Sequence, residues 1–572
     1  MVLEKPVIRI RRSYLSTDFK IDRWEAQEPF YEELLHREIS SLTELKKWLH
    51  DCDEIEAAVY EELAWRYIRQ SCDTENKELG ESYLRFIQDV LPRVAVYTEK
   101  FQKKFISSPF ISKLNQKEFE VQVRSVRGAL EIFRAENVPL QSEDKAKSQE
   151  YLGICGRMTI QHGGEEMTLQ KAAAWLELKD REERKAVWMK TALRREANQA
   201  AIHVLLDELI DLRHRMAQNA GFENFTAYSF PALGRFDYKP EDCLRFHDSI
   251  EKIIKPVYKQ QMSERRKKLG IETLRPWDQN VDIFGSTPLK PFANGKELKD
   301  KTIALLTEVK PELGEMIRFM SEGGFLDLES RPGKAPGGYN YPLAESGVPF
   351  IFMNAVGTQT DLTTILHECG HAFHTFAVHD LQSNIHKTIP AEVAELASMS
   401  MELISLDQYA LFYPGKDELL RARREQVSRT LTLFPWIATI DAFQMWLYEN
   451  PGHSHQARNA KWKEIYTRFH DEDVDWTGLE NHFDILWQKQ GHIFETPFYY
   501  IEYGIAQLGA LSLWRNFRRD PQAALLQYLE MLHMGYTRPI PEVYEKAGIR
   551  FDFSVDYVQE IVDFTLGEIE GY

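Results

Sequence analysis

A chain of 572 residues with 43% hydrophobic and 28% charged side chains has the composition of a globular protein, long enough for one large domain or two to three ordinary ones. Its formal net charge of -17 repels polyphosphate and anionic headgroups, which argues against nucleic acid and anionic membrane surfaces as partners. No run approaches 18 apolar residues, so no membrane span is expected, and the charged start from Met1 to Tyr14 lacks the apolar core of a secretory leader.

The five cysteines, Cys52, Cys72, Cys155, Cys243 and Cys369, are odd in number and scattered. They read as free thiols in a reducing compartment, so a cytoplasmic location is the expectation. Residues 20–145 are rich in Glu, Lys, Leu and aromatic side chains at helical spacing, notably over 54–70, 79–91, 94–105 and 117–136. Between Gly153 and Gln170 short alternating runs around Gly163-Gly164 predict a small hairpin. Helix returns at Asp180, and a long one is expected over 197–220, ending at Gly221. A boundary near residues 140–200 divides an N-terminal helical region, 1–150, from a second region, 151–572.

The densest Gly/Pro stretch, 331–341, is a loop preceding a site or a plain linker; Lys334 lacks the spacing of a phosphate-binding loop. Residues 349–354, Pro-Phe-Ile-Phe-Met-Asn, read as a strand. Such a strand either offers backbone groups to an extended peptide or lies wholly inside.

Leu366-His367-Glu368-Cys369-Gly370-His371 comes next. On a helix, His367 and His371 share a face and can close on one zinc ion, while Glu368 points about 100° away, towards an activated water. With 17 histidines, such a match arises by chance in roughly 5% of chains of this length, so the surroundings must decide. Leu362, Ile365, Leu366, Cys369, Phe373 and Phe376 recur at three- and four-residue spacing, which predicts a helix buried along one side, with Cys369 facing the core. A third ligand is sought in Pro390-Ala391-Glu392-Val393-Ala394-Glu395-Leu396-Ala397-Ser398, which reads as the start of a second helix. Glu392 and Glu395 lie three apart on one face, and spacing alone does not choose between them. His374 stands about 10 Å along the axis from His367, too far to share the ion. A longer zinc motif ending in a third histidine also fails, since His374 replaces its glycine and Ala377 its histidine. His379 and His386 read as loop residues.

Helices are expected again over 428–448 and 462–469. They precede His492-Ile493-Phe494-Glu495-Thr496-Pro497-Phe498-Tyr499-Tyr500-Ile501-Glu502-Tyr503-Gly504, which is aromatic core or a source of hydrogen-bond donors.

The His-Glu-x-Gly-His motif, followed 24 residues later by Glu395 and then x-Ala-Ser, resembles the thimet oligopeptidase and oligoendopeptidase F family of zinc peptidases. Leu212-Arg213-His214-Arg215-Met216 and Phe225-Thr226-Ala227-Tyr228 are also similar to the start of that family's catalytic region. The resemblance implies a mostly α-helical fold, a large bowl or clamshell enclosing the metal, with a small β-sheet edge near the site. It implies one Zn2+ per chain on His367, His371 and Glu395, with Glu392 as a supporting charge, and Glu368 as general base. By analogy His492, Tyr500 and Tyr503 donate hydrogen bonds to the tetrahedral intermediate, the choice among Tyr499, Tyr500 and Tyr503 staying open. The resemblance favours substrate pairing with the strand near Phe350 to Met353. The implied activity is cleavage of internal bonds in short peptides of about 6 to 20 residues. Two rivals are a zinc carboxypeptidase or dipeptidase, which needs a cationic group for the substrate's terminal carboxylate, and a non-catalytic peptide-binding protein. The latter has no need of His367, Glu368, His371 and Glu395 together.

Overall fold

Apolar spacing at three and four residues in the first third of the chain produces helices that stack on one another. The first that matters for the site is α1, Leu42–Cys72, begun by Ser41, whose side chain accepts a hydrogen bond from the Glu44 amide. Leu45, Trp48, Ile55, Ala58 and Val59 of α1 belong to a small N-terminal core, whereas Ala64 and Ile68 further along belong to the large core of the molecule. This computed structural model describes residues 12–283, 287–331, 333–335, 337–470 and 474–572. The expectation for the start of the chain therefore falls mostly outside the described residues, as do Pro332 and Pro336 of the Gly/Pro stretch. All five cysteines are free thiols, and no helix among the described residues is long and apolar enough to cross a membrane.

Strands β1, Thr159–His162, and β2, Glu165–Thr168, form the expected hairpin. Gly163 and Gly164 both take positive φ, 62° and 84°, as a tight two-residue turn requires. Helix α2, Gln199–Asn219, follows. Its buried Arg213 donates to the Tyr448 hydroxyl at 2.7 Å, to the Ile493 carbonyl at 3.1 Å and to the Phe494 carbonyl, so it fixes the backbone that follows His492.

Three short strands, β3 Leu326–Glu329, β4 Tyr339–Pro342 and β5 Pro349–Ala355, form one sheet in the order β3-β5-β4. β5 runs parallel to β3 and antiparallel to β4, with Tyr339 opposite Phe352 and Asn340 opposite Ile351. This corrects the expectation that the strand near Phe350 to Met353 pairs with substrate. Both its edges are taken, and Pro349 to Met353 are buried, as a continuous apolar run in a central strand should be. The outer strands are β3 and β4, and β4 comes from the end of the stretch read as loop or linker.

β5 leads directly into α3, Gln359–Val378. The turn is locked by Asp361, whose carboxylate accepts from the amides of Val356, Gly357 and Thr358, while Thr358 caps the Asp361 amide. Helix α4, Ala391–Ile404, packs across α3, with a short helix, Asn384–Lys387, in the connection. Helix α5, Lys416–Glu449, and helix α6, Tyr500–Arg519, complete the walls around them. The fold is mostly α-helical, with two small sheets among the described residues.

Candidate metal centre and its cavity

His367 and His371 lie one turn apart on α3, and Glu395 comes from the first turns of α4. The two helices approach closely enough because position 370 is glycine: a Cβ there would lie 2.5 Å from Ser398 Cα and 2.7 Å from the Ala397 carbonyl oxygen. The result is a triangle of donor atoms. His367 Nε2 is 3.2 Å from His371 Nε2 and 3.3 Å from Glu395 Oε2, and His371 Nε2 is 3.8 Å from Glu395 Oε2. A tetrahedral ion with bonds of about 2.0–2.1 Å separates its ligands by about 3.3 Å, so the three atoms fit one small divalent cation and leave a coordination position open. Among the described residues they are the one group of three or more His, Cys, Asp and Glu side chains that could hold a metal ion.

The groups behind the donors set their charge and orientation. His367 Nδ1 lies 2.7 Å from Glu402 Oε1, which assigns the ring proton to Nδ1 and turns the Nε2 lone pair to the triangle. Glu402 Oε2 in turn accepts from Gln426 Nε2 at 2.8 Å, and Gln426 Oε1 accepts from Thr363 at 2.9 Å. Glu395 Oε1 accepts from the Tyr499 hydroxyl at 3.1 Å, and its Oε2 from Ser398 Oγ at 3.3 Å. Burial alone would raise the Glu395 carboxyl, but hydrogen bonding to His367 and the charge of both histidines bring it down to about 2. Burial pushes His371 down to about 4. His367 goes the other way: against burial, hydrogen bonds to Glu395 and Glu402 hold it well above the usual imidazole range, so a cation bound at the triangle would displace its proton.

Glu368 is 7% exposed and is raised to about 7, chiefly by burial, with His367 opposing and Glu395 and Glu402 assisting. Its side chain faces a cavity of about 370 Å³ that also touches His367, Glu402, His492, Tyr500 and Tyr503. Its backbone carbonyl accepts from Asn340 Nδ2 at 3.1 Å, a direct tie between α3 and the outer strand β4. His492 Nδ1 accepts from Gln490 Nε2 at 2.7 Å, which puts its proton on Nε2 as a donor. The His492 ring lies 4.9 Å from that of Tyr500 and 5.9 Å from that of Tyr503. Tyr499, the third tyrosine considered, is engaged with Glu395.

Glu392 is buried elsewhere, accepting from the Tyr238 hydroxyl at 2.5 Å and lying 3.7 Å from Arg235 Nε. The fully buried Arg235 also donates to Glu502 Oε1 at 2.6 Å and to the Phe498 carbonyl at 2.6 Å, where the backbone takes φ 68° just before α6. One guanidinium thus faces two buried carboxylates, and burial raises Glu502 to about 8. His374 is buried outside the triangle, and burial pushes it down to about 3. His379 caps the end of α3, and His386 lies buried in the short helix that follows.

Sequence reasoning missed Glu402, Gln426, Asn340 and Arg235. Glu402 carried a signal, since it stands seven residues after Glu395 and therefore on the same helical face. The others come from distant elements and had none.

The family model described as Peptidase family M3 matches residues 174–563, and the Peptidase M3 N-terminal domain matches residues 16–133. An oligoendopeptidase F homolog of Lactococcus lactis subsp. lactis is 21% identical over 524 residues, covering 88% of this chain and 80% of its own. The plasmid-encoded oligoendopeptidase F of Lactococcus lactis subsp. cremoris is 22% identical, with 88% and 80% covered. Among solved structures, PZ peptidase A with an inhibitor superposes with a TM-score of 0.90 at 26% identity, over 97% of this chain and 99% of the other.

Proposed function

Because the chain belongs to peptidase family M3, we propose that it is a zinc-dependent oligoendopeptidase that hydrolyses internal bonds of short peptides. The observation that carries the reading is the donor triangle of His367, His371 and Glu395 opening onto the cavity that Glu368 lines. Zinc held there would supply Lewis acidity, acidifying a water and polarising the scissile carbonyl. Glu368 takes the proton from the attacking water on its carboxylate and returns it to the leaving amine. Its raised pKa, close to neutrality, suits both transfers. His492, through Nε2, and the hydroxyls of Tyr500 and Tyr503 donate hydrogen bonds to the oxyanion. They stand on the cavity wall, whereas Tyr499 holds Glu395. Phe at Tyr500 or Tyr503 should therefore lower kcat with little change in KM, and wild-type turnover in both would return the pair to plain aromatic packing.

The outer strand β4 orients an extended substrate by backbone pairing, a role supported by its edge position and by the Asn340 bond to the Glu368 carbonyl. We place the division between the N-terminal and catalytic regions at residue 150, between the spans of the two family models. The test is incubation of the protein with a mixed pool of short peptides, with and without a chelator, and reading of the cut positions by mass spectrometry. Internal cuts abolished by the chelator and restored by zinc are expected. The Glu368→Gln variant should keep near-stoichiometric zinc and lose at least 10²- to 10⁴-fold in kcat, roughly the general-base contribution. Chelator-resistant cutting, or turnover in Glu368→Gln close to wild type, would refute the assignment.

A further inference from the structure

The cavity beside the donor triangle contains a cation that the peptidase mechanism does not use. Arg429 on α5 is the one lysine or arginine among the described residues that line it. It is exposed, and its guanidinium makes neither a hydrogen bond nor an ion pair among the described residues. Two of the nearby acids are already engaged, and the third, Glu368, makes no ion pair with Arg429. Glu402 gives one oxygen to His367 and the other to Gln426, and Glu425, one turn before Arg429, accepts from Arg421. Gln426, Arg429, Thr430 and Leu433 all line the cavity, as i, i+3, i+4 and i+7 positions on one face of a helix should. In a chain of net charge -17, an unpartnered guanidinium on the wall of a cavity that also holds Glu368 and Glu402 is chemically conspicuous.

Its placement indicates what it would bind. Gln426 and Arg429 are neighbours on the helix surface, about 5–6 Å apart at Cβ. Gln426 is joined through Glu402 to the ring of His367 by hydrogen bonds of 2.8 and 2.7 Å. Arg429 thus stands on the same cavity wall as Gln426, next to the chain of hydrogen bonds that leads to the donor triangle. A planar fork of N–H donors with no internal partner matches a carboxylate in both shape and charge.

We propose that Arg429 is a specificity-determining residue that receives a substrate carboxylate in the cavity beside the cleaved bond. The inference rests on the peptidase reading of the site and names the class of peptide it prefers. The carboxylate is the free C-terminus of a short peptide or the side chain of an Asp or Glu, and the experiment separates the two. One pair of peptides differs only in a C-terminal acid against a C-terminal amide, and a second pair, both amidated, only in Glu against Gln near the cut. The ratio of kcat/KM within each pair is measured for the zinc-loaded wild type, Arg429→Gln and Arg429→Glu. The same pairs are titrated calorimetrically into Glu368→Gln, with and without Arg429→Gln, so that binding is read without turnover.

The acid member of at least one pair is expected to be preferred about tenfold by the wild type, the order of a charge-assisted contact partly screened by solvent. Arg429→Gln should bring that ratio close to one, Arg429→Glu should reverse it, and added salt should shrink it. The pair that responds identifies the source of the carboxylate. Ratios near one in both pairs for an enzyme that does cut peptides overturn this inference and leave the peptidase reading standing, and so does a preference that survives in Arg429→Gln. Carboxylate-dependent binding lost in Arg429→Gln, in a protein that cuts no peptide, supports the site and overturns the peptidase reading. Absence of both overturns both.

Discussion

Replacing Gly370 by alanine adds one methyl group at the crossing of α3 and α4. That methyl would meet backbone, Ser398 Cα at 2.5 Å and the Ala397 carbonyl oxygen at 2.7 Å, rather than a side chain that can swing away. Non-bonded carbons settle at about 3.5–4.0 Å, so the helices must part by about 1 Å. Overpacking of this kind costs about 1–3 kcal/mol, and the better helix propensity of alanine returns about 0.8–1.0 kcal/mol. The net loss of stability is therefore small, about 0–2 kcal/mol. The effect on the metal is larger. A 1 Å retreat of α4 stretches the 3.3 and 3.8 Å edges of the triangle. They become about 4.3 and 4.8 Å, beyond what ligands on bonds of about 2.0–2.2 Å tolerate. Zinc affinity in Gly370→Ala should fall at least about tenfold, measured by competition with a chromophoric chelator. Gly80, in the helix Lys77–Arg85 with no atom within 4 Å of a built Cβ, is the control. Alanine there should stabilise by about 0.8–1.0 kcal/mol and leave zinc binding alone. Wild-type zinc affinity in Gly370→Ala, with the same thermal behaviour as Gly80→Ala, would show that the crossing is not what fixes the triangle.

Two other predictions test neighbouring groups. Glu395→Ala should lose bound zinc whereas Glu392→Ala should keep it, since Glu392 is held by Tyr238 and Arg235; metal analysis giving the reverse pattern exchanges their roles. Glu502 is raised by burial to about 8, against about 4.3 in an unfolded chain, so the folded state keeps a proton that the unfolded state has released. Its contribution is full below about pH 4 and is lost as pH rises through about 8. Melting temperatures of the wild type should thus fall relative to Glu502→Gln between about pH 5 and pH 8, and parallel curves would remove Glu502 from the pH response.

Helices α3 and α4 were legible because a 3.6-residue period and the four-residue spacing of His367 and His371 are local properties of the sequence. The choice between Glu392 and Glu395 was not legible in their spacing, because the two differ only in which neighbours a distant fold brings to them: Arg235 and Tyr238 for one, Tyr499 and the two histidines for the other. The sheet failed for a related reason. β5 was visible as an apolar run, but whether its edges are free depends on β3 and β4, and β4 lies at the end of a Gly/Pro-rich stretch that carries little strand signal. Arg429 could be read as nothing more than a charged residue in a long helix until α5 was seen to wall the cavity.

Helix α1 has a mechanical consequence. At 31 residues it is about 46 Å long. One end is embedded in the small N-terminal core and the other in the large one. Near its far end Tyr67 packs on the rings of Tyr339 and Tyr341 of β4, and the Ser71 hydroxyl pairs with that of Tyr339 at 2.5 Å. A stiff rod clamped at both ends behaves as a lever. Tilting the N-terminal helices about the junction displaces the tip that bears on β4, and β4 is tied through Asn340 to the backbone of Glu368. Any tilt of the N-terminal helices therefore bears on β4 and, through Asn340, on the backbone of Glu368.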